Sequence, residues 1–240
     1  MDFDVLPGPS LPERARTALA RAATASVSDL RVCAPAAGQV PVRATRDGNP
    51  LLMPAAGSLL AAWLAAGPDT VRVALPAGPP FSALRLTGTA RPVAVPAAGP
   101  DDAGLTACAV TIDAVEFTGV TSARVALAEY RAAQPDPLYR VAPGVLHHLE
   151  HGHMRELVRC VRAHGMTRAE WVIPRGLDRY GLELLVLTGD GIASVRLSFP
   201  DGPVAHLDDV PVSLRAALTC RCSSGPGHGG PGLGSLGRRP

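Results

Sequence analysis

The densest chemistry in the chain is His147-His148-Leu149-Glu150-His151-Gly152-His153, which holds four of the seven histidines. On a helix, His147 and His151 are four residues apart and share a face; His148 and His151, and Glu150 and His153, are three apart. Imidazoles at that spacing suit zinc, iron or haem iron as borderline ligands. The residues after the first histidine do not follow the zinc-protease order. The same histidines also read as a polar helix face with one packed ring. A second feature is Leu177-Asp178-Arg179-Tyr180-Gly181. Asp178 suits a turn cap, Tyr180 packs its ring, and Gly181 supplies a backbone angle that other residues avoid. A third is Cys220-Arg221-Cys222. Two thiols hold a metal only with further ligands, and His228 is the sole nearby candidate. Asp101-Asp102 and Asp208-Asp209 read as caps or solvated faces.

Whole chemistries are absent. The 23 basic side chains are all arginine. Without lysine there is no Schiff-base residue, no P-loop lysine and no kinase lysine. No G-x-S-x-G or C-x-x-C sequence is present. The net charge is +2, but residues 219–240 contribute three arginines and no acid, so the remainder sums to −1. Neither a basic stripe nor a stacking platform is expected from that balance and nine aromatics, which argues against nucleic acid as a partner. Five scattered cysteines do not form a disulfide framework, and the acidic, Pro-rich start lacks a secretory pattern. The longest uncharged run, 48–68, is broken by prolines and glycines and is too short in its apolar part to span a bilayer. The expectation is a cytoplasmic protein with reduced thiols and no membrane partner.

The elements that must position these residues divide the 240-residue chain in two. Ser10 and Glu13 fit a capping box for a helix running to about residue 25. Strands are expected at 30–34 and 40–45, then a turn at Arg46-Asp47-Gly48-Asn49 and an extended run at 51–53. Ser58 caps a helix to Ala66. Alternating strands follow at 70–75 and 83–95, and two more lie within 107–127. Antiparallel alternation favours a closed or partly closed barrel. Pro135-Asp136-Pro137 marks a linker. One helix is expected over 144–163, with Leu146, Leu149, Leu157, Val158 and Val161 on its apolar face. Strands follow at 171–174, 182–187 and 193–199, then a helix over 204–218. The fold class is α+β. Its parts are a disordered start at 1–10, a barrel domain at 11–132, a linker at 133–138, an α-β-β-β-α domain at 139–218, and a Gly-rich disordered tail at 219–240.

The second domain resembles the C-terminal domain of HugZ-type haem-utilisation proteins and of their plant relatives that bind glutamyl-tRNA reductase. The resemblance rests on His148-Leu149-Glu150-His151-Gly152-His153, against a family pattern of the His-Met-Asn-x-Asp-His kind, and on Asp178-Arg179-Tyr180-Gly181. Only His148 and His153 carry over from the first motif. The first domain resembles the split β-barrel of pyridoxamine phosphate oxidase and flavin reductases, through Asp47-Gly48-Asn49-Pro50-Leu51-Leu52 and the bridge 129–138. The resemblance implies a homodimer that binds haem or a related tetrapyrrole through His148, His153 or His151, with haem breakdown and iron supply as the activity. It implies a motif role for Asp178, Tyr180 and Gly181. A non-catalytic scaffold on the same fold is the alternative. A flavin-dependent oxidoreductase is a third reading, but the helix from Ser58 to Trp63 offers one hydroxyl and no cation to an FMN phosphate, so FMN is not expected.

Overall fold

The chain folds as α+β. The computed structural model describes residues 8–29, 39–78, 81–94, 104–199 and 201–210. Helix α1 (Leu11–Arg21) starts at the expected capping box: the Ser10 hydroxyl accepts from the Glu13 amide, and the Glu13 carboxylate accepts from the Ser10 amide at 2.8 Å. Such a cap stabilises a helix by about 1 kcal/mol. The helix stops short of residue 25. Strand β1 (Thr24–Asp29) begins there instead, because Ala25 and Val27 enter the barrel core while their backbone pairs on both sides. Ladder pairing and burial override the helical preference of the alanines.

The remaining barrel strands are β2 (Gln39–Ala44), β3 (Pro50–Leu52), β4 (Val71–Pro76), β5 (Phe81–Val93) and β6 (Ala107–Gly119). Their order is β3-β2-β1-β4-β5-β6, and β3 pairs again with β6, so six antiparallel strands close into a barrel. Closure removes the sheet edges. A seventh strand, β7 (Ala123–Val125), continues from β6. Every second residue points inward, and Leu52, Val73, Leu84, Leu86, Val110 and Phe117 form the buried centre. The long β5–β6 pair is bent by a register shift at Thr87/Gly88. A Cβ on Gly88 would overlap the Thr111 carbonyl, so only glycine fits that bend.

Helix α2 (Leu59–Ala65) is capped by Ser58, as expected. Helix α3 (Leu127–Ala132) was not anticipated. It is a short turn of helix that seats Tyr130 in the barrel core.

After the linker, α4 (Ala142–Gly152) and α5 (Met154–Ala163) pack against the edge strand of a three-stranded antiparallel sheet. Its strands are β8 (Ala169–Asp178), β9 (Gly181–Thr188) and β10 (Gly191–Ser198), in the order β10-β9-β8. Leu149, Leu157, Val161, Val172, Leu184 and Val186 form a second core. Residues 204–210, expected to begin a helix, form a loop with one 3-10 turn, Leu207–Asp209. Asp209 accepts from the His206 amide there and closes the turn instead of continuing a helix. The expected strand at 30–34, most of the helix expected over 204–218, and the tail with Cys220, Cys222 and His228 lie outside the described residues. Among the described residues no helix is long and apolar enough to cross a membrane.

Candidate functional site

The single helix expected over 144–163 breaks at His153, and the break decides how the histidines meet. Gly152 weakens the helix, and His153 leaves helical geometry at φ −131°, ψ 23°. Its amide still donates to the Leu149 carbonyl at 3.0 Å, and its carbonyl accepts from the Leu157 amide at 3.0 Å. The helical ladder is interrupted there, one helix ending at Gly152 and the next starting at Met154, and Leu149 and Leu157 both reach the core.

The four histidines form two pairs. His153 is buried, and its Nε2 lies 3.1 Å from Nε2 of the half-buried His148. One of these nitrogens donates and the other accepts. The Glu156 carboxylate lies 3.9 Å from the His153 Nδ1. The second pair is exposed: the His147 and His151 rings lie 4.1 Å apart, centroid to centroid. His151 Nδ1 donates to the His147 carbonyl at 2.8 Å. That bond places the neutral-ring proton on Nδ1, so Nε2 carries the lone pair, the arrangement that orients an imidazole for a metal. The pairing of His147 with His151 follows the helical spacing. The pairing of His148 with His153 does not, because it crosses the break. Glu150 stays exposed. Among the described residues, no three or more histidine, cysteine or acidic side chains converge on one point.

Asp178, Tyr180 and Gly181 build a joint between the two halves of the chain. Arg179 and Tyr180 form a two-residue loop between β8 and β9. The Asp178 carboxylate accepts from the Tyr180 amide at 2.9 Å and from the Arg196 guanidinium. The Tyr180 hydroxyl donates to Glu13 at 2.8 Å, which ties the loop to the α1 cap. Desolvation opposes the charge on Glu13, but hydrogen bonds from Ser10 and Tyr180 and the field of Arg179 outweigh it and hold its carboxyl below the usual value. The Arg179 amide donates to the buried Asp136 at 2.7 Å, and the Leu138 amide donates to the same carboxylate at 2.8 Å. The Asp136 amide in turn donates to the Thr17 hydroxyl at 2.8 Å. Gly181 has φ 155°, and a Cβ there would overlap the Leu197 carbonyl. All three motif residues are thus committed to local structure.

The β2–β3 hairpin is held just as firmly. Gly48 has φ +82° and lies beneath the Arg16 guanidinium. Arg16 is buried, donates to the Arg46 carbonyl at 2.9 Å, and lies 5.4 Å above the Tyr130 ring. The Tyr130 hydroxyl donates to the Gly48 carbonyl at 2.6 Å, and the Asn49 side chain accepts from the Ile112 amide at 3.2 Å. The Ser58 hydroxyl accepts from the Ala61 amide and donates to the Ala55 carbonyl, so it is already engaged.

A cleft of about 720 Å³ separates α1 from the open face of the second sheet. Arg14, Arg21, Arg175 and Arg196 line it, against Asp136, Asp178 and Glu183. Its volume is in the range of small-molecule sites. Sequence reasoning missed it because its walls come from α1, the linker and five strands of both sheets, and no local motif links them.

No protein-family model matches this sequence, and no curated protein matches it. Among solved structures, the chain is similar to a haem-binding protein from Mycobacterium smegmatis. The two are 23% identical, the match covers 89% of this chain and 96% of that one, and the TM-score is 0.59. A protein of unknown function from Agrobacterium tumefaciens is 18% identical, with 91% and 100% covered and a TM-score of 0.38. The first likeness shows a shared fold.

Proposed function

We propose that this chain binds haem or a related tetrapyrrole on a split β-barrel of the HugZ type. In this reading it works as a homodimer in the cytoplasm, in haem breakdown and iron supply. The observation that carries the reading is the fold shared, over nearly the whole of both chains, with a mycobacterial protein that binds haem. The histidine cluster supports it from within the chain.

The residues fit haem through one imidazole at a time. Nε2 of His148 and Nε2 of His153 are 3.1 Å apart and already hydrogen-bond each other, so the two would hold the group one at a time. His151 presents its Nε2 lone pair outward and needs no rearrangement. His148 serves once its bond to His153 opens, and His153 is the most enclosed of the three. When bound, haem supplies the iron and the O₂ chemistry. The protein would supply the imidazole and a carbonyl that fixes its tautomer.

The test is a haemin titration of the full chain, followed in the visible spectrum, with FMN as the control. A saturable Soret shift is expected, weakened in the His151→Ala, His148→Ala or His153→Ala variants. A folded protein with no saturable shift would remove the reading. It would favour a non-catalytic scaffold, which the complete engagement of Asp178, Tyr180 and Gly181 in structural bonds also suits. A yellow protein with FMN absorbance would point to the flavin reading, for which Ser58 offers no uncommitted hydroxyl.

A further inference from the structure

We propose that the cleft between α1 and the second sheet binds a small organic dianion, two carboxylate or phosphate groups on an apolar chain, held by Arg21 from one wall and Arg175 from the other. This goes beyond the haem reading and does not rest on it. The argument begins with the helix. Arg14, Thr17, Ala18, Arg21 and Ala22 fall at i, i+3, i+4, i+7 and i+8, so they form one stripe along α1, and all five line the cleft. Ala15, Arg16 and Leu19 lie off that stripe and are buried. Arg14 and Arg21 stand about 10 Å apart along the axis, at 1.5 Å per residue. Thr17 and Ala18 lie between them, and their short side chains leave the groove open. On the facing wall, Gly176, Glu183 and Arg196 form one row across β8, β9 and β10. Gly176 adds no side chain to that row.

The second observation is the charge balance. Four arginines line the cleft against three acids. Asp178 is engaged by Arg196 and the Tyr180 amide, and Asp136 by the Leu138 and Arg179 amides. The field of Glu183 acts on Arg14. Arg21 and Arg175 are exposed, and neither side chain makes a hydrogen bond or ion pair among the described residues. Guanidinium groups take carboxylates and phosphates bidentately, and two such groups on facing walls call for two anionic groups in the ligand. Burial pushes the Arg14 guanidinium below its ordinary value; Glu183 and Asp178 oppose that shift and Arg196 adds to it. An anion in the groove relieves this deficit of negative charge. The third observation is the surface between the cations. Ala18, Ala22, Pro76, Ala77 and Leu177 line the cleft and give an apolar chain its contact. The volume of about 720 Å³ is that of a small-molecule site.

The test is calorimetric titration of the haem-free full chain with two dianions, suberate and hexane-1,6-diyl bisphosphate, and with octanoate as the one-carboxylate control. Saturable binding of one dianion per chain is expected, and the tighter of the two identifies the anionic group. Octanoate should bind at least about tenfold more weakly than suberate, the worth of one charged hydrogen bond. Arg21→Gln and Arg175→Gln should each weaken dianion binding by about the same factor. Arg159→Gln, on α5 across the sheet, should change it less than about twofold. Ser194→Trp, at an exposed position of the cleft wall, should block binding while circular dichroism shows the fold intact. The inference is overturned if the folded parent gives no saturable heat with either dianion, if octanoate binds as tightly as suberate, or if either arginine variant binds like the parent. Both dianions are free of iron, so this result stands whatever the Soret titration gives.

Discussion

Changing Gly48 to alanine should destabilise the barrel by about 3–5 kcal/mol. Two costs add. Gly48 sits at φ +82°, where a β-carbon costs about 1–2 kcal/mol. The new Cβ would also overlap Nη1 of Arg16. Arg16 is buried between the hairpin and Tyr130, and its Nη2 donates to the Arg46 carbonyl. Displacing it breaks that charged hydrogen bond, worth about 1.5–3 kcal/mol. Two further variants separate the costs. Gly48→Asn tolerates the left-handed backbone but keeps the overlap, so it should lose about 2–3 kcal/mol. Gly48→Ala in an Arg16→Met background removes the overlap and keeps the backbone strain, so the coupling should reach about 2 kcal/mol. Urea unfolding followed by far-ultraviolet circular dichroism measures all five chains, Arg16→Met alone included. A Gly48→Ala loss below about 0.5 kcal/mol, the range of a neutral surface change, would refute the reasoning. So would a loss unaltered by Arg16→Met.

Tyr130→Phe should cost about 1 kcal/mol, the net worth of its bond to the Gly48 carbonyl. Burial pushes the Tyr130 phenol up to about 12 from an ordinary 10, against the opposing field of Arg16. Its contribution to stability is therefore complete below pH 10 and lost as pH rises through about 12, which an alkaline absorbance titration of parent and variant would reveal. Asp136→Ala leaves the Leu138 and Arg179 amides without their acceptor and should cost about 2–4 kcal/mol in the same denaturant assay. Burial raises the Asp136 carboxyl more than those amides lower it, so its own contribution is complete below its usual range and declines as pH rises through the raised value.

What could be read in advance follows the range of the forces involved. The Ser10–Glu13 box, the Ser58 cap and the turn at Gly48 are local, and the sequence displayed each of them. The alternation in β4, β5 and β6 displayed an antiparallel sheet, and closure through β3–β6 adds only two register pairs to it. Residues 24–25 were read as the end of the helix and 26–29 were given no element, because Ala25, Ser26 and Ser28 are weak local signals, settled by partners on two other strands. Helix α3 was hidden for the same reason: six residues carry little periodicity, and its stability comes from Tyr130 in the barrel core. The break at His153 had a visible cause in Gly152. Its consequence, the partnership of residues five apart, depends on how α4 and α5 each meet β8.

That partnership changes what the two sequence motifs mean. Asp178-Arg179-Tyr180-Gly181 joins the second sheet to α1 and the linker through Glu13 and Asp136, so its residue types are accounted for by fold alone. A chain that kept the fold and lost every ligand would still need them. The histidines are different. A buried imidazole hydrogen-bonded to another imidazole places polar atoms where an apolar pair would fill the same space without desolvating them. His147 and His151 add exposed rings that the fold does not require. In the haem reading proposed above, the histidine segment is where chemistry beyond folding lies. Variants there should move binding more than stability, and variants in the Asp178 turn should do the reverse.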